Sequence, residues 1–483
     1  MLLFGGASEV VTAAPESDEE AETEPYRPEY HFSPTSGWMN DPNGMVYHDG
    51  RYHLFYQAGK DRRRWDHAVS DDLVTWEEWG TEILDDGIQA YSGGAAVDGA
   101  NTAGFGPDAL VATFTGHHDD GLEDQRLAFS VNGGRTVDRS EHNPVIESDV
   151  GDFRDPNPVW YEPDRNWRLL VARVSGTADR PAGIEIYESD DLHEWTYLNT
   201  YGSGGANWEC PSLYELPVAG SDETRWVLTV SVEWNHVEHH VGRFDGTTFQ
   251  VDRRLRADHG FDFYGAQSWA NTPSRPGLQL AWMNNWVYAH GVPGSGWQGA
   301  QTLPRTVSLV TGDDGVELRQ RIPPEVTRLR SRKLTTLHHE RIAPDTDPVS
   351  ATPAAGDTIE LFAKIRPRDA DSVGLAVRES SAQRTLVTFD VPNEELIVDR
   401  GEADALFSPD GFAIETGPLP LLDDGTIELR LLVDRCSLEV FANDGRYTNT
   451  NLIFPDPEST GVSSFARGGS AELLEFVAYD LAA

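Results

Sequence analysis

The sequence predicts an all-β protein, a five-bladed β-propeller followed by a C-terminal β-sandwich. Three observations carry that expectation. A turn motif recurs every 54 to 60 residues, short runs rich in β-branched and aromatic residues fill the intervals, and helical periodicity is nearly absent along the 483 residues. A repeat of that length with room for about four strands is the pattern of a propeller blade. A β-sandwich with chance turn similarity is the competing reading.

Taken in order, residues 1–26 are rich in Ala, Glu, Asp and Pro, the composition of a disordered acidic tail. Their opening, Met-Leu-Leu-Phe-Gly-Gly, lacks the basic segment of a secretory signal. The compartment is therefore undetermined, with cytoplasm the default and secretion open. Residues 27–335 hold five units. Their turns are Ser70-Asp-Asp-Leu-Val-Thr-Trp76, Ser130-Val-Asn-Gly-Gly-Arg-Thr136, Ser189-Asp-Asp-Leu-His-Glu-Trp195 and Arg243-Phe-Asp-Gly-Thr-Thr-Phe249, aligned on Asp72, Asn132, Asp191 and Asp245. Between them, Tyr52–Tyr56, Ala112–Thr115, Trp167–Ala172 and Trp226–Ser231 read as strands. Residues 336–356 turn Thr-, Pro- and Ala-rich after a basic stretch and read as a linker. Residues 357–483 alternate strands such as Thr358–Ile365, Thr426–Val433 and Ser437–Phe441 with turns such as Asn443-Asp-Gly445, the texture of a β-sandwich.

Asp and Glu number 80 against 38 Lys and Arg, a net charge of −42. Such a surface repels nucleic acid and anionic membranes, so neither is an expected partner. The acids are spread along the whole chain and Lys is scarce beside Arg, as on surfaces adapted to high salt, where the screening length falls to about 3 Å at molar salt. A merely acidic protein of ordinary habitat is the alternative. Two cysteines, Cys210 and Cys436, exclude a disulfide framework, and no run is apolar enough to span a membrane. Oligomeric state is not encoded legibly.

Three acids carry the chemistry. Asp41 in Trp38-Met-Asn-Asp-Pro-Asn-Gly44, Asp155 in Phe153-Arg-Asp-Pro156 and Glu209 in Trp208-Glu-Cys-Pro211 lie 31, 36 and 36 residues before Asp72, Asp191 and Asp245. That phase puts each on the innermost strand of its blade, where they converge on one channel. The equivalent stretches of the second and fifth blades are Tyr91-Ser-Gly-Gly94 and Trp282-Met-Asn-Asn-Trp286. A single Asp at a strand end usually bonds its own backbone. Three in phase, flanked by Asn40, Arg154, Trp38 and Trp208, are the equipment for cleaving a glycosidic bond. Gly116-His-His-Asp-Asp120 and His236-Val-Glu-His-His240 fit no zinc spacing and read as polar loops, so no metal and no cofactor is expected.

These motifs resemble the signatures of the β-fructosidases, glycoside hydrolase family 32. The resemblance spans about residues 30 to 480 and extends to Tyr56-Gln57, Trp65-Asp-His-Ala-Val-Ser70, Asn101–Phe105, Asp262-Phe-Tyr-Gly-Ala-Gln267, Leu303-Pro-Arg305 and Glu439-Val-Phe-Ala-Asn-Asp-Gly445. It implies that Asp41 is the nucleophile, Glu209 the general acid/base and Asp155 a transition-state stabiliser, with retention of configuration. It also implies that Asn40, Gln57, Trp65, Tyr91, Ser92 and Trp286 line a fructosyl pocket, that Arg154 is a compensating cation, paired with Asp155 in the simplest reading, and that Cys210 supports the acids from behind. The implied substrates are small carbohydrates: sucrose and fructo-oligosaccharides, with inulin and levan as polymeric candidates. A fructosyltransferase and a non-catalytic fructan-binding protein are the rivals. The chain departs from the family pattern at Asp66, where Gly is common, in Ala58-Gly-Lys-Asp-Arg-Arg-Arg64, which replaces an Asn-Pro continuation, and at Gln298, where Arg is usual. Those positions bear on leaving-group preference.

Overall fold

The computed structural model describes residues 24–482 except 85–86, 149, 178–179, 274, 313–314, 404–406 and 408. Five antiparallel blades close a ring. Blade one is β1 (Gly37–His48), β2 (Arg51–Ala58), β3 (Arg64–Ser70) and β4 (Glu77–Glu78), and blade two is β5 (Gln89–Asp98), β6 (Ala109–His117), β7 (Glu123–Ser130) and β8 (Asp138–Arg139). Blade three comprises β9 (Phe153–Tyr161), β10 (Asn166–Arg173), β11 (Gly183–Ser189) and β12 (Thr196–Gly202), and blade four β13 (Trp208–Ala219), β14 (Thr224–Val232), β15 (His236–Phe244) and β16 (Phe249–Arg256). Blade five runs β17 (Tyr264–Ser268), β18 (Leu278–Trp282), β20 (Arg305–Gly312), β21 (Gly315–Arg321), while β19 (Trp297–Gln298) crosses to pair in parallel with β1.

The recurrent turn joins the third and fourth strands of a blade, and its chemistry explains the repeat. Asp72 Oδ1 accepts from the backbone N–H of Val74 and Thr75, Asp191 Oδ1 from His193 and Glu194, and Asp245 Oδ1 from Thr247 and Thr248. Ser70 and Ser189 close the same turns by accepting from the N–H of Leu73 and Leu192. Short polar side chains that replace missing backbone partners are what such turns select.

All five inner strands share one irregularity, a β-bulge at the same height. The ladder slips between Met39 and Pro42, Tyr91 and Gly93, Glu209 and Ser212, and Tyr264 and Gln267, and in blade three between Leu170 and Ala172, opposite Asp155. Pro42, Pro156 and Pro211 sit at or beside three of these bulges, a position where a strand tolerates a residue without an N–H.

The sandwich begins at β22 (Arg330–Ile342), which pairs with Ala471–Leu481 at the edge of a six-stranded sheet over a five-stranded one. Its core is largely aliphatic, built on residues such as Leu361, Leu375, Val387 and Leu429, with Phe389 and Phe476 among them. This corrects the expected linker 336–356: residues 336–342 are strand, and 343–356 are turns anchored by Asp347, which accepts from Ser464. The charged side chains that suggested a linker belong to an exposed edge strand, where charge discourages further pairing. Of the tail expected at 1–26, residues 1–23 lie outside the described residues, whereas Glu24 pairs with Arg27 and Tyr26 packs edge-on against Phe454. The fifth-blade phase is also corrected. Its inner strand is Tyr264–Ser268, and Trp282 ends the second strand. His236–His240 is likewise strand, with His239 and His240 buried. No helix among the described residues is long and apolar enough to cross a membrane.

Buried charge joins the two domains. Arg305 on β20 donates to Asp258 (2.7 Å) and to Glu439 of the sandwich (2.7 Å), and His31 bridges Glu439 (2.9 Å) and Asp434 (2.8 Å). The quoted motifs Leu303-Pro-Arg305 and Glu439–Gly445 thus meet across the interface.

Candidate active site

The bulges aim side chains from the inner strands into one cavity of about 420 Å3, within the range of small-ligand pockets. Asn40 and Asp41 come from β1, Gln57 from β2, Tyr91 and Ser92 from β5, Arg154 and Asp155 from β9 and Glu209 from β13. Arg63, Trp234, Trp286 and Val287 complete the lining. The three acids are 7%, 3% and 7% exposed for Asp41, Asp155 and Glu209, so they form the floor, while Trp234 (44%) and Val287 (54%) stand at the rim. The phase argument therefore placed the acids correctly.

Backbone strain marks the same spot. Asp155 and Cys210 have φ of +63° and +49°, and the matching position of the fifth blade is Gly265 at +64°. A non-glycine residue there costs on the order of 1–3 kcal/mol and persists where the surroundings hold it. Gly265 has a second constraint, since a Cβ would lie 2.8 Å from Asp41 Oδ1.

Each acid has a distinct environment. Ser92 Oγ donates to Asp41 Oδ2 (2.8 Å), and the Cys210 thiol lies 3.8 Å from that oxygen and 3.5 Å from Asp155 Oδ2. Asp41 Oδ1 has no hydrogen-bond partner among the described residues. Burial pushes Asp41 above the usual carboxylate range, and the Ser92 and Asn40 side chains, the Arg63 cation and the Cys210 thiol oppose that rise. Asp155 Oδ2 accepts from the Cys210 N–H (2.9 Å), and its own N–H donates to Thr115 Oγ1 (2.9 Å). Glu209 Oε1 accepts from Arg154 (3.1 Å) and Oε2 from the Tyr264 hydroxyl (2.6 Å). Burial and the facing Glu209 push Asp155 up to about 8, and burial raises Glu209 also, against Arg154 and Tyr264. Both carboxylates are thus raised, and they titrate as a pair.

Arg154 makes its salt bridges to Glu209, Glu123 (3.1 Å) and Asp152, so the ion pair expected with Asp155 forms with Glu209 instead. Trp65 does not line the pocket. It is fully buried between Phe55 and Phe114, and its indole N–H donates to the Tyr91 carbonyl (2.8 Å), which supports the strand behind Ser92. Cys210 lies behind the acids as expected, and burial holds its thiol well above the ordinary range, as an inert group rather than a nucleophile. Gln57 donates to the Ala90 carbonyl (2.8 Å), and its Oε1 lies 3.3 Å from Ser92 Oγ, whose proton goes to the nearer Asp41. Asn40 accepts from Trp38 Nε1 (2.7 Å) and Arg63 (2.6 Å).

Sequence reasoning missed Trp234 and Val287, and it quoted Arg63 and Tyr264 only within longer segments, without singling out either side chain. Tyr264 was findable, because it occupies the fifth blade's inner strand directly before the bulge. Trp234 sits at φ +62° in the turn after β14, and its carbonyl accepts from the Trp286 N–H (2.9 Å). No local pattern announces it. Among the described residues, no group of three or more His, Cys, Asp or Glu is arranged to hold a metal ion.

Buried, unequally tuned carboxylates on the floor of a polar pocket, set in a five-bladed propeller with an appended sandwich, define a hydrolase of glycosidic bonds. The chain belongs to glycosyl hydrolases family 32: the model of the family's N-terminal domain matches residues 31–321, and that of its C-terminal domain matches 325–480. It is 39% identical to a levanase of Bacillus subtilis (strain 168), over 100% of this chain and 74% of the relative. It is 30% identical to an extracellular exo-inulinase of Aspergillus awamori, over 95% of each. The crystal structure of exo-inulinase from that organism superposes with a TM-score of 0.85 at 29% identity, over 95% of this chain and 99% of the other.

Proposed function

We propose that the pocket takes the terminal β-D-fructofuranosyl unit of sucrose, fructo-oligosaccharides and fructans and releases it as fructose, with Asp41 as nucleophile, Glu209 as acid and then base, and Asp155 as the group that grips the sugar. The observation that supports this division most directly is that three buried carboxylates meet on the floor of one pocket in different surroundings, Asp41 held by Ser92, Asp155 by the Cys210 N–H, and Glu209 by Arg154 and Tyr264.

The steps follow from the contacts. Sugar hydroxyls donating to Asp155 favour its charged form, and the two anions that Glu209 then faces, Asp41 and Asp155, favour its protonated form. The Asp41 carboxylate attacks the anomeric carbon as Glu209 protonates the bridging oxygen. The leaving sugar departs, and a fructosyl ester of Asp41 remains. Glu209, now ionised and held by Arg154 and Tyr264, takes a proton from water, which attacks the same carbon and frees Asp41.

Early-time product analysis tests this. Sucrose, inulin and levan are expected to release free fructose one unit at a time, and in added methanol the trapped product is methyl β-D-fructofuranoside, retained in configuration. Binding of these sugars without fructose release refutes the hydrolase reading, and oligosaccharides dominating over fructose at high sucrose favour a transferase.

A further inference from the structure

We propose that Arg63 is the residue with which this pocket reads the sugar unit next to the terminal fructose, and that it thereby sets leaving-group preference. The proposal rests on the hydrolase reading above. Arg63 lies in the loop between β2 and β3 and lines the pocket, and beyond its field at Asp41 no step of the mechanism uses it.

The segment is built to deliver this side chain. Gly59 turns the chain at φ +77°, with the Arg62 carbonyl where a Cβ would stand (2.2 Å). The Arg63 N–H donates to Gln89 Oε1 (3.1 Å) and its carbonyl accepts from Ala90 N (3.1 Å), which pins the backbone to blade two. Arg64 faces elsewhere, paired with Asp66 (2.6 Å) and Glu82 (3.6 Å), so the two departures at 64 and 66 form one contact and Arg63 alone of this pair enters the pocket.

Its charge is held in an unusual way. The guanidinium lies over the indoles of Trp38 (5.7 Å) and Trp286 (5.5 Å), and one Nη1 donates to Asn40 Oδ1. Among the described residues it has no carboxylate within salt-bridge distance, in a chain with 80 acidic residues. Arg154, the other lining cation, is engaged by three carboxylates. A guanidinium has five N–H donors in a planar fork, so Arg63 retains donors for acceptors that the protein does not supply. Uncharged, vicinal sugar hydroxyls fit that fork.

Position assigns those hydroxyls to the second unit. The terminal ring must place its anomeric carbon against Asp41 and its bridging oxygen against Glu209, both on the floor. The unit beyond the bridging oxygen therefore rises toward the rim at Trp234 and Val287, and Arg63 and Trp286, both half-buried, stand between that rim and the floor.

The test compares kcat/KM for sucrose with kcat/KM for β-D-fructofuranosyl fluoride, whose leaving group has no hydroxyls, in the wild type, Arg63→Gln and Arg63→Lys. The loss of a charge-assisted hydrogen bond predicts that Arg63→Gln loses about tenfold more on sucrose than on the fluoride. Arg63→Lys keeps the charge but not the fork, and shows a smaller loss in the same order. It serves alone if the glutamine variant does not fold. Equal losses on both substrates overturn the proposal, because they place Arg63 with Asn40 and the indoles as a support of the terminal ring. No loss on either overturns it too. If the wild type releases fructose from neither substrate, the hydrolase reading fails instead.

Discussion

His31 is expected to make the folded protein lose stability as pH rises, and replacing it tests how the domains are joined. Both ring nitrogens meet carboxylates, Nδ1 with Asp434 at 2.8 Å and Nε2 with Glu439 at 2.9 Å, an arrangement that needs two N–H groups and so an imidazolium. Burial alone would push the imidazole down. The two carboxylates overcome it and raise the group from 6.5 to about 9. A folded value above the unfolded one means that the stabilisation is fully present below pH 6.5 and is lost as pH rises through 9. The gap, at about 1.4 kcal/mol per pH unit, is about 3 kcal/mol. His31→Gln should therefore melt about 3 °C below the wild type at pH 6, since a chain of 483 residues unfolds with an entropy of about 1 kcal/mol per kelvin. By pH 9.5 the two should converge. Scanning calorimetry across pH 6 to 9.5 reads the difference, in which the general effect of the charge of −42 cancels. Melting profiles that stay parallel over that range would refute a charged His31.

Three further outcomes follow. Glu209→Gln should lose at least a thousandfold in kcat on sucrose but far less on fructosyl fluoride, which needs no protonated leaving oxygen; equal losses in steady-state assays would remove Glu209 from the acid role. Burial raises the thiols of Cys210 and Cys436, so neither should be alkylated by iodoacetamide at pH 8 in the native protein, and both should be in denaturant, as read by mass spectrometry. With 80 acids against 38 basic residues, the melting temperature should rise from low salt to molar salt as self-repulsion is screened; a flat or falling profile contradicts the salt-adapted reading.

What was legible in the sequence was what repeats. Asp72, Asp191 and Asp245 each close the same turn with the same backbone bonds, so the blade period survives in the letters, and the acids could be placed by counting back from it. The prolines beside them had a meaning the counting did not reach: they mark bulges that turn Asp41 and Asp155 into the channel. The fifth blade was misphased because Trp282-Met-Asn-Asn spells nearly the same as Trp38-Met-Asn-Asp, although it ends a second strand. The linker was misread because an exposed edge strand is written in charged residues. Trp234 was invisible, and Arg63 was not told apart from its neighbours in Ala58–Arg64, for a different reason. Their roles come from where loops land in space, and Trp65 shows the converse, a motif aromatic whose position is core.

The account stands on Asp41 forming a covalent bond to fructose. The direct measurement is mass spectrometry of Glu209→Ala incubated with fructosyl fluoride, a leaving group that departs unaided while loss of the base slows hydrolysis of the ester. The account predicts one added fructosyl mass, located after peptic digestion on Asp41 in the peptide holding Trp38–Gly44. An unlabelled protein that still turns over the fluoride, or a label on any other residue, contradicts it.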